Sequence, residues 1–330
     1  MRVSIAMCTY NGEKYLGEQL QSIAEQTKRP HQLIVCDDGS TDCTLQILEE
    51  FAKTAPFQVS IFRNATNLGS TKNFEKAIGL CDGDLIALSD QDDVWYPNKL
   101  EVMCSIFEKD RSIGGVFSDA DLMSADSLTI EGRLWERFHF GPREQRCFRT
   151  EGALKLLLQQ AVVTGMTLIV RADLRGRLLP IPASWEHDGW MALVLVLTSR
   201  LDFTTNRLSK YRLHEAQQIS VPQSQLGKIT RFFHAGIPAS IGAMRAQSIK
   251  EYARAAKKID DLVQRITDAK WNIDLQKLAM MREKAEHSAV GLQLLAMSRP
   301  RRTGAIFSRV GRYRRYSMRW CRSMFKDLIS

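Results

Sequence analysis

The chain has 330 residues, 44% hydrophobic and 25% charged, with seven Cys and 46 Lys/Arg against 37 Asp/Glu. That length accommodates one large domain and an appendage, and the odd, scattered cysteines, with no C-x-x-C pair, argue against both a disulfide framework and a zinc site. No run approaches the roughly 18 apolar residues of a membrane span, and "MRVSIAMCTY" turns polar too soon for a secretory signal, so a cytoplasmic protein with reduced thiols is expected.

In chain order, "RVSIAMC" and "QLIVCD" read as short β-branched strands, and the helical pattern between them puts Leu16, Leu20, Ile23 and Ala24 on one face. "FQVSIFR" and "GDLIALS" repeat the strand signature after the helical "TLQILEEFAKTA" and "STKNFEKAIGLCD", and "GGVFSDADLM" adds another strand. This alternation predicts an α/β fold with a mostly parallel sheet flanked by helices. In such sheets ligands bind beyond the carboxyl ends of the strands, where this chain carries "TYNGE", "DDGSTD", "NATNLGS" and "DQDDVW". There is no G-x-G-x-x-G after the first strand and no G-K-[ST] phosphate loop, which excludes the common dinucleotide and P-loop classes. Instead Asp90, Asp92 and Asp93 crowd into four positions. Like charges that close repel unless a cation joins them, and hard oxygen ligands suit Mg²⁺ or Mn²⁺ bridging to a diphosphate. A turn capped by aspartates is the alternative reading.

Further along, the polar residues of "SWEHDGWMALVLV" introduce an apolar helix and place Asp188 in its first turn, where capping and the helix dipole also give it a stabilising role. Trp185 and Trp190 are the stacking candidates beside it. "EAQQISVPQSQ" has the composition of a mobile lid, and from about Leu226 onward only helical periodicity is found, in "ASIGAMRAQSIKEYARAAKKIDDLVQRI" and "LQKLAMMREKAEHSAVGLQLLAM". The net charge of +9 resides in residues 299–330, which hold ten Lys/Arg and one acidic residue, Asp327, so the rest of the chain is balanced. Arg interleaved with Ile306, Phe307, Val310, Tyr313, Trp320 and Phe325 suits a helix lying on an anionic membrane surface; a solvated basic tail or an RNA contact is the alternative, and no nucleic-acid partner is expected.

As an ordered set, "SIAMCTYNGEKYLGEQLQSIAEQT", "LIVCDDGSTD", "NLGSTKNFEKAI" and "SDQDDVW" resemble the family 2 glycosyltransferases over about residues 2–220. "SDQDDVW" and "EHDGWMAL" are most similar to rhamnosyltransferase-type members that build O-antigen and related bacterial polysaccharides. The resemblance implies the GT-A fold and inverting, divalent-metal-dependent transfer from a nucleotide-sugar, best dTDP-rhamnose, to a saccharide or polyprenyl-diphosphate-linked acceptor. A UDP-sugar donor, an inactive nucleotide-sugar-binding relative and a sugar nucleotidyltransferase are the alternatives, the last lacking its Gly-rich first loop.

By motif, the resemblance puts Cys8, Thr9, Tyr10, Asp38, Lys72 and Asp90 at the donor, with Asp37 either there or capping the following turn. It puts Asp92 and Asp90 at the Mg²⁺ or Mn²⁺, and Asp188 in the role of base. On the acceptor or diphosphate side it puts Glu186, His187, Trp190, Arg212 and His214. Domain boundaries are expected at 1–225 (a nucleotide-sugar half to about 120 and an acceptor half beyond), 226–298 for a helical appendage and 299–330 for the basic tail. The protein is expected in the cytoplasm, at the inner membrane face if the tail anchors it, and a homodimer is left open.

Overall fold

The computed structural model describes residues 1–214, 237–296 and 305–306. The chain falls into two compact units, Met1–Arg149 with Ala161–Ser220, and Thr150–Gln160 with Val221–Ser330.

The first unit is built on a nine-stranded sheet. Its strands are β1 (Val3–Thr9), β2 (Gln32–Asp37), β3 (Gln58–Arg63), β4 (Leu85–Ser89), β5 (Val94–Trp95), β6 (Ile113–Ser124), β7 (Thr129–Arg133), β8 (Leu168–Arg171) and β9 (Arg200–Leu213). They lie in the order β3-β2-β1-β4-β8-β6-β9-β5, with β7 paired to β6. Every residue of β2 and of β4 is buried, which is why these runs read as continuously apolar rather than alternating. Helices α1 (Leu16–Ala24), α2 (Thr44–Thr54), α3 (Ser70–Leu80) and α4 (Lys99–Lys109) connect them. On α1 the stripe Leu16, Leu20 and Ile23 is buried in a core shared with Val3, Ile5, Leu33, Trp95 and Phe107.

Strands β1 to β4 are mutually parallel. β8 then runs antiparallel to both β4 and β6, and β6 is parallel to β9. Two reversals restore the direction, so β9 ends on the same edge of the sheet as β1–β4, and the antiparallel β8 begins there. That edge gathers all the polar loops. A further helix, here α6 (His187–Thr198), is apolar nearly all round and is a core helix, with Trp190 to Leu197 buried.

In the second unit, α5 (Ala153–Gln159) packs against α8 (Leu275–Ala296), which forms a hairpin with α7 (Ile237–Asp268). Asp274 Oδ1 caps α8 by accepting from the Gln276 N–H at 2.7 Å. Of the basic tail, Ala305 and Ile306 are described, and they pack on Val290 and Leu294 with Ile306 fully buried. The lid segment from Glu215, the rest of the tail and the 226–236 stretch lie outside the described residues. No helix among those described is long and apolar enough to cross a membrane.

Candidate active site

The loops at the strand ends are cross-linked by their own polar side chains. Asp37 is fully buried; its Oδ1 accepts from Thr9 Oγ1 at 3.0 Å and its Oδ2 from the Gly39 and Ser40 N–H groups at 3.2 and 3.0 Å. It caps the "GSTD" turn and has no face toward the cleft. Asp38 Oδ1 accepts from Asn64 Nδ2 (2.8 Å) and the Leu68 N–H (2.7 Å), and Oδ2 from the Gly69 N–H (2.9 Å). At 3% exposure it shapes the "NATNLGS" loop, with acceptor capacity left on Oδ2. Thr9 is buried and Cys8 half-buried, with its thiol pushed well up by burial, whereas Tyr10 is exposed.

Gln91 ties the acid loop to the first loop by pairing both backbone groups of Tyr10, accepting its N–H at 2.9 Å and donating to its carbonyl at 3.0 Å. A Cβ at Gly12 would stand 2.3 Å from Gln91 Oε1, so any larger residue there would push the Gln91 side chain off Tyr10. The three aspartates then diverge. Asp93, 1% exposed, accepts the Arg212 N–H at 3.1 Å and serves the scaffold. Asp92 Oδ2 lies 2.8 Å from His214 Nε2, and the imidazole rests against Tyr15 with ring centroids 4.9 Å apart. Desolvation in the cleft, then the charges of Asp92 and Asp188, push Asp90 up to about 8.

Asp188 occupies the first turn of α6, where Oδ2 accepts from the Gly165 N–H (3.2 Å) and Oδ1 from the Gly189 N–H (2.7 Å). The Asp188 charge is felt by Asp90, so the carboxylate at the start of α6 lies close to those of the β4 loop. A buried lysine lies close to Asp90 and Asp93. Lys99 is buried, lies 3.8 Å from the Trp95 ring centroid, donates to Ser209 Oγ (2.9 Å) and to the Met166 carbonyl, and is held well below the ordinary lysine range by burial.

Among the described residues no three His, Cys, Asp or Glu side chains form a self-sufficient metal cage. Mg²⁺-type sites that bridge to a diphosphate need only one or two carboxylates, the other ligands coming from phosphate and water. Asp90 and Asp92 fit that demand: both are hard donors, and the burial that chiefly makes Asp90 a weak acid, with the repulsion from Asp92 added, is what a divalent cation would offset.

With this geometry in place, comparison with known proteins decides the family: the model for "Glycosyl transferase family 2" matches residues 4–174, just over half the chain. The chain belongs to glycosyl transferase family 2. An uncharacterized glycosyltransferase of Nostoc is 25% identical over 223 residues, 66% of this chain and 66% of that protein. A dTDP-rhamnosyl transferase of Shigella flexneri, RfbG, is 41% identical over 107 residues, 31% of this chain and 37% of that protein. Among solved structures, a mannosyltransferase of Pyrobaculum calidifontis in complex with GDP-Man and Mn²⁺ superposes with a TM-score of 0.51 at 15% identity, over 99% of this chain and 84% of that one. The chain thus spans about two thirds of the Nostoc relative and about a third of RfbG. As a family 2 glycosyltransferase it is an enzyme with the GT-A fold.

The family match ends at residue 174, so the placements of Asp188 and His214 in the cleft stand on geometry. Several residues that the motifs put at substrate are elsewhere. Trp190 is fully buried, its indole N–H donating to the Leu178 carbonyl at 2.7 Å, and Trp185 packs edge-on against it, so the two fill the core and neither offers a face to a sugar. His187 is buried and stacked on Phe74. The Lys72 ammonium is taken by Glu75 Oε2 and the Ile181 carbonyl, both at 2.8 Å, joining α3 to the chain before α6.

Arg212 has no exposure: it pairs with Glu18, donates to the Asp92 carbonyl (2.7 Å) and Ser127 Oγ (2.8 Å), and braces the acid loop rather than meeting a diphosphate. Glu186 stands at the N-cap position of α6, half-buried. Lys99, Gln91 and Gly165 went unnoticed in the sequence. A signal existed for Lys99: it shares a helical face with the apolar Met103, Cys104 and Phe107, where a lysine needs an acidic partner.

Proposed function

We propose that this glycosyltransferase moves a sugar, with inversion, from a nucleotide-sugar to a hydroxyl of a saccharide acceptor, with Asp188 as general base and Asp90 and Asp92 as ligands of Mg²⁺ or Mn²⁺. The observation that carries the reading is the convergence of Asp90, Asp92 and Asp188, from two separate elements, on one cleft at the ligand-binding edge of the sheet.

In the transfer, an acceptor oxygen forms a bond to the anomeric carbon as the bond from that carbon to the diphosphate oxygen breaks, and the nucleoside diphosphate leaves with the electron pair. The hydroxyl proton passes to the Asp188 carboxylate, whose two oxygens are aimed by the Gly165 and Gly189 N–H groups. Asp90 and Asp92 would hold the Mg²⁺ or Mn²⁺, which would supply positive charge against the leaving diphosphate when bound. His214 orients the Asp92 carboxylate, and Lys99 ties the Met166 carbonyl to Ser209 behind the acid loop. Tyr10, exposed at the end of β1, is available to the base of the nucleotide, with Asp38 shaping the adjoining loop.

dTDP-rhamnose is the preferred donor, supported by the local likeness to RfbG over 31% of this chain; a UDP-sugar is the second reading. The metal is supported by the Mn²⁺ named with the Pyrobaculum mannosyltransferase. Residues 1–120 are read as the nucleotide-sugar half and 121–225 as the acceptor half. Synthesis of a bacterial surface polysaccharide on a lipid-linked acceptor, with the tail on an anionic membrane, is the broader setting that fits these residues. Screening nucleotide-sugars for metal-dependent release of nucleoside diphosphate tests the reading; a panel with no turnover and no shift in melting would sink it.

A further inference from the structure

The loop after β1, residues 10–13, is held by its backbone. Four successive N–H groups donate to side chains of other loops: Asn11 to Ser40 Oγ (2.9 Å), Gly12 to Thr44 Oγ1 (2.7 Å) and Glu13 to Asp42 Oδ2 (3.1 Å), all on the chain after β2, and Tyr10 to Gln91 Oε1 (2.9 Å) in the acid loop. Two of these ties are returned, Asn11 Oδ1 accepting the Thr41 N–H at 2.9 Å and Glu13 Oε2 the Cys43 N–H at 3.0 Å. The first loop is thus zipped to the β2 loop several times over, and the acid loop joins it through Gln91, whose Nε2 also donates to the Tyr10 carbonyl at 3.0 Å. The three atoms nearest a Cβ at Gly12 would be Oε1, Cδ and Nε2 of Gln91, at 2.3, 2.7 and 3.2 Å, so Gly12 is the seat of that amide.

We propose that Gln91 is a positioning residue that fixes the span between nucleobase and diphosphate recognition, so that the two ends of a nucleoside diphosphate are gripped as one unit. The inference rests on the reading above, in which Tyr10 meets the base and the acid loop the diphosphate. Gln91 stands between Asp90 and Asp92 in the chain, but its amide is committed to the Tyr10 backbone, so it acts on the donor through the two loops. A ligand that engages two sites at once gains from their fixed separation, because its second contact is then intramolecular, and a preset geometry spares the cost of ordering at binding. Loosening the clamp leaves each end its own contacts and removes the gain from joining them.

The first arm of the test needs no ligand. With ¹⁵N-tyrosine labelling, Tyr10 is one of seven positions, assigned by the loss of its signal in Tyr10→Phe. Its amide should shift and exchange faster with solvent in Gln91→Ala, and also in Gly12→Ala, whose Cβ displaces the Gln91 amide, while those of Tyr211 and Tyr252 hold. The second arm measures affinities, with Mg²⁺ or Mn²⁺ present, for thymidine and uridine, for dTDP and UDP, and for pyrophosphate. Each variant should bind the nucleoside diphosphate about 10-fold more weakly, the scale of one or two net hydrogen bonds, and keep wild-type affinity for the nucleoside and for pyrophosphate. The double variant Gly12→Ala/Gln91→Ala should be no worse than Gln91→Ala, since the Cβ then has no amide to displace, and melting temperatures should change little.

A Tyr10 amide unmoved in both variants, or losses that add in the double variant, would overturn the proposal. So would a nucleoside affinity that falls with that of the nucleoside diphosphate, the mark of a merely structural role, or a lost pyrophosphate affinity, the mark of a direct phosphate contact. A wild-type protein that bound neither dTDP nor UDP would defeat the functional reading and this inference with it, whereas a wild type that binds them, with variants that bind them equally well, would defeat the inference alone.

Discussion

Asp188 is held by two backbone N–H groups at a helix start, an arrangement that aims a carboxylate while leaving lone pairs for a proton. Asp188→Asn should therefore keep donor binding, measured by protection against melting, and lose turnover by roughly 10²-fold or more; an unchanged rate would move the role to Glu186. Asp90 supports a second prediction. Its folded-state value of about 8 lies above its ordinary 3.8, so the folded protein holds a proton there that the unfolded chain releases. The stabilising contribution is complete below about pH 4 and is lost as pH rises toward 8. Metal-free wild-type protein should lose melting temperature across that window, and Asp90→Asn should flatten the loss. A slope that survives the substitution would place the titrating group elsewhere.

Which of these residues could be read in advance follows a physical division. Asp90, Asp92 and Asp188, which the proposed mechanism uses, stand out in the sequence because each is a polar residue closing or opening an apolar run at a strand or helix end, whereas His214 was singled out only through the family resemblance. Trp190, His187 and Arg212 could not be read this way, because one-dimensional spacing does not say whether an aromatic or cationic side chain beside a catalytic residue points into the cleft or into the core. All three lie within two residues of a cleft residue and turn away from it.

At the scale of elements, β1, β2 and β4 were legible because strands covered on both faces appear as nearly unbroken apolar runs, and the half-buried β3 by the alternation of Val59 and Ile61 with polar neighbours. β9 was not recognised: "RLDFTTNRLSKYRL" mixes charges into its alternation and shifts register twice against β6 between Ser118 and Asp121. β8, only four residues long, reads equally well as a fragment of a core helix. The helix α6 sets up a discriminating experiment. If Trp190 is core, Trp190→Ala should lower stability by about 3–5 kcal/mol in denaturant titration while leaving the acceptor KM of the folded fraction near wild type. A raised acceptor KM with intact stability would instead restore it to the cleft.

At the scale of the whole molecule, the appendage of helices was legible from period alone, whereas the inclusion of Thr150–Gln160 in that unit was not, because the segment is distant in sequence from the chain it joins. The burial of Ile306 against Leu294 also redraws the tail: a truncation at 299 would strip a packed residue from the hairpin, so the charged part should be removed as residues 308–330. That truncation should leave activity on a soluble acceptor unchanged and weaken co-sedimentation with anionic vesicles, most at low salt, since the attraction is screened over about 8 Å at physiological ionic strength. Equal sedimentation of both forms would remove the membrane from the account and leave the chemistry standing.

The chemistry itself is tested most directly by nucleoside diphosphate release from a panel holding dTDP-rhamnose and UDP-sugars, run on wild type, Asp92→Asn and Asp188→Asn with Mn²⁺ or with chelator. The account predicts turnover of at least one donor by the wild type only with the ion present, an inverted anomeric configuration in the product, and loss of turnover in both variants without loss of fold. Chelator-insensitive turnover, equal in Asp92→Asn and wild type, would contradict it.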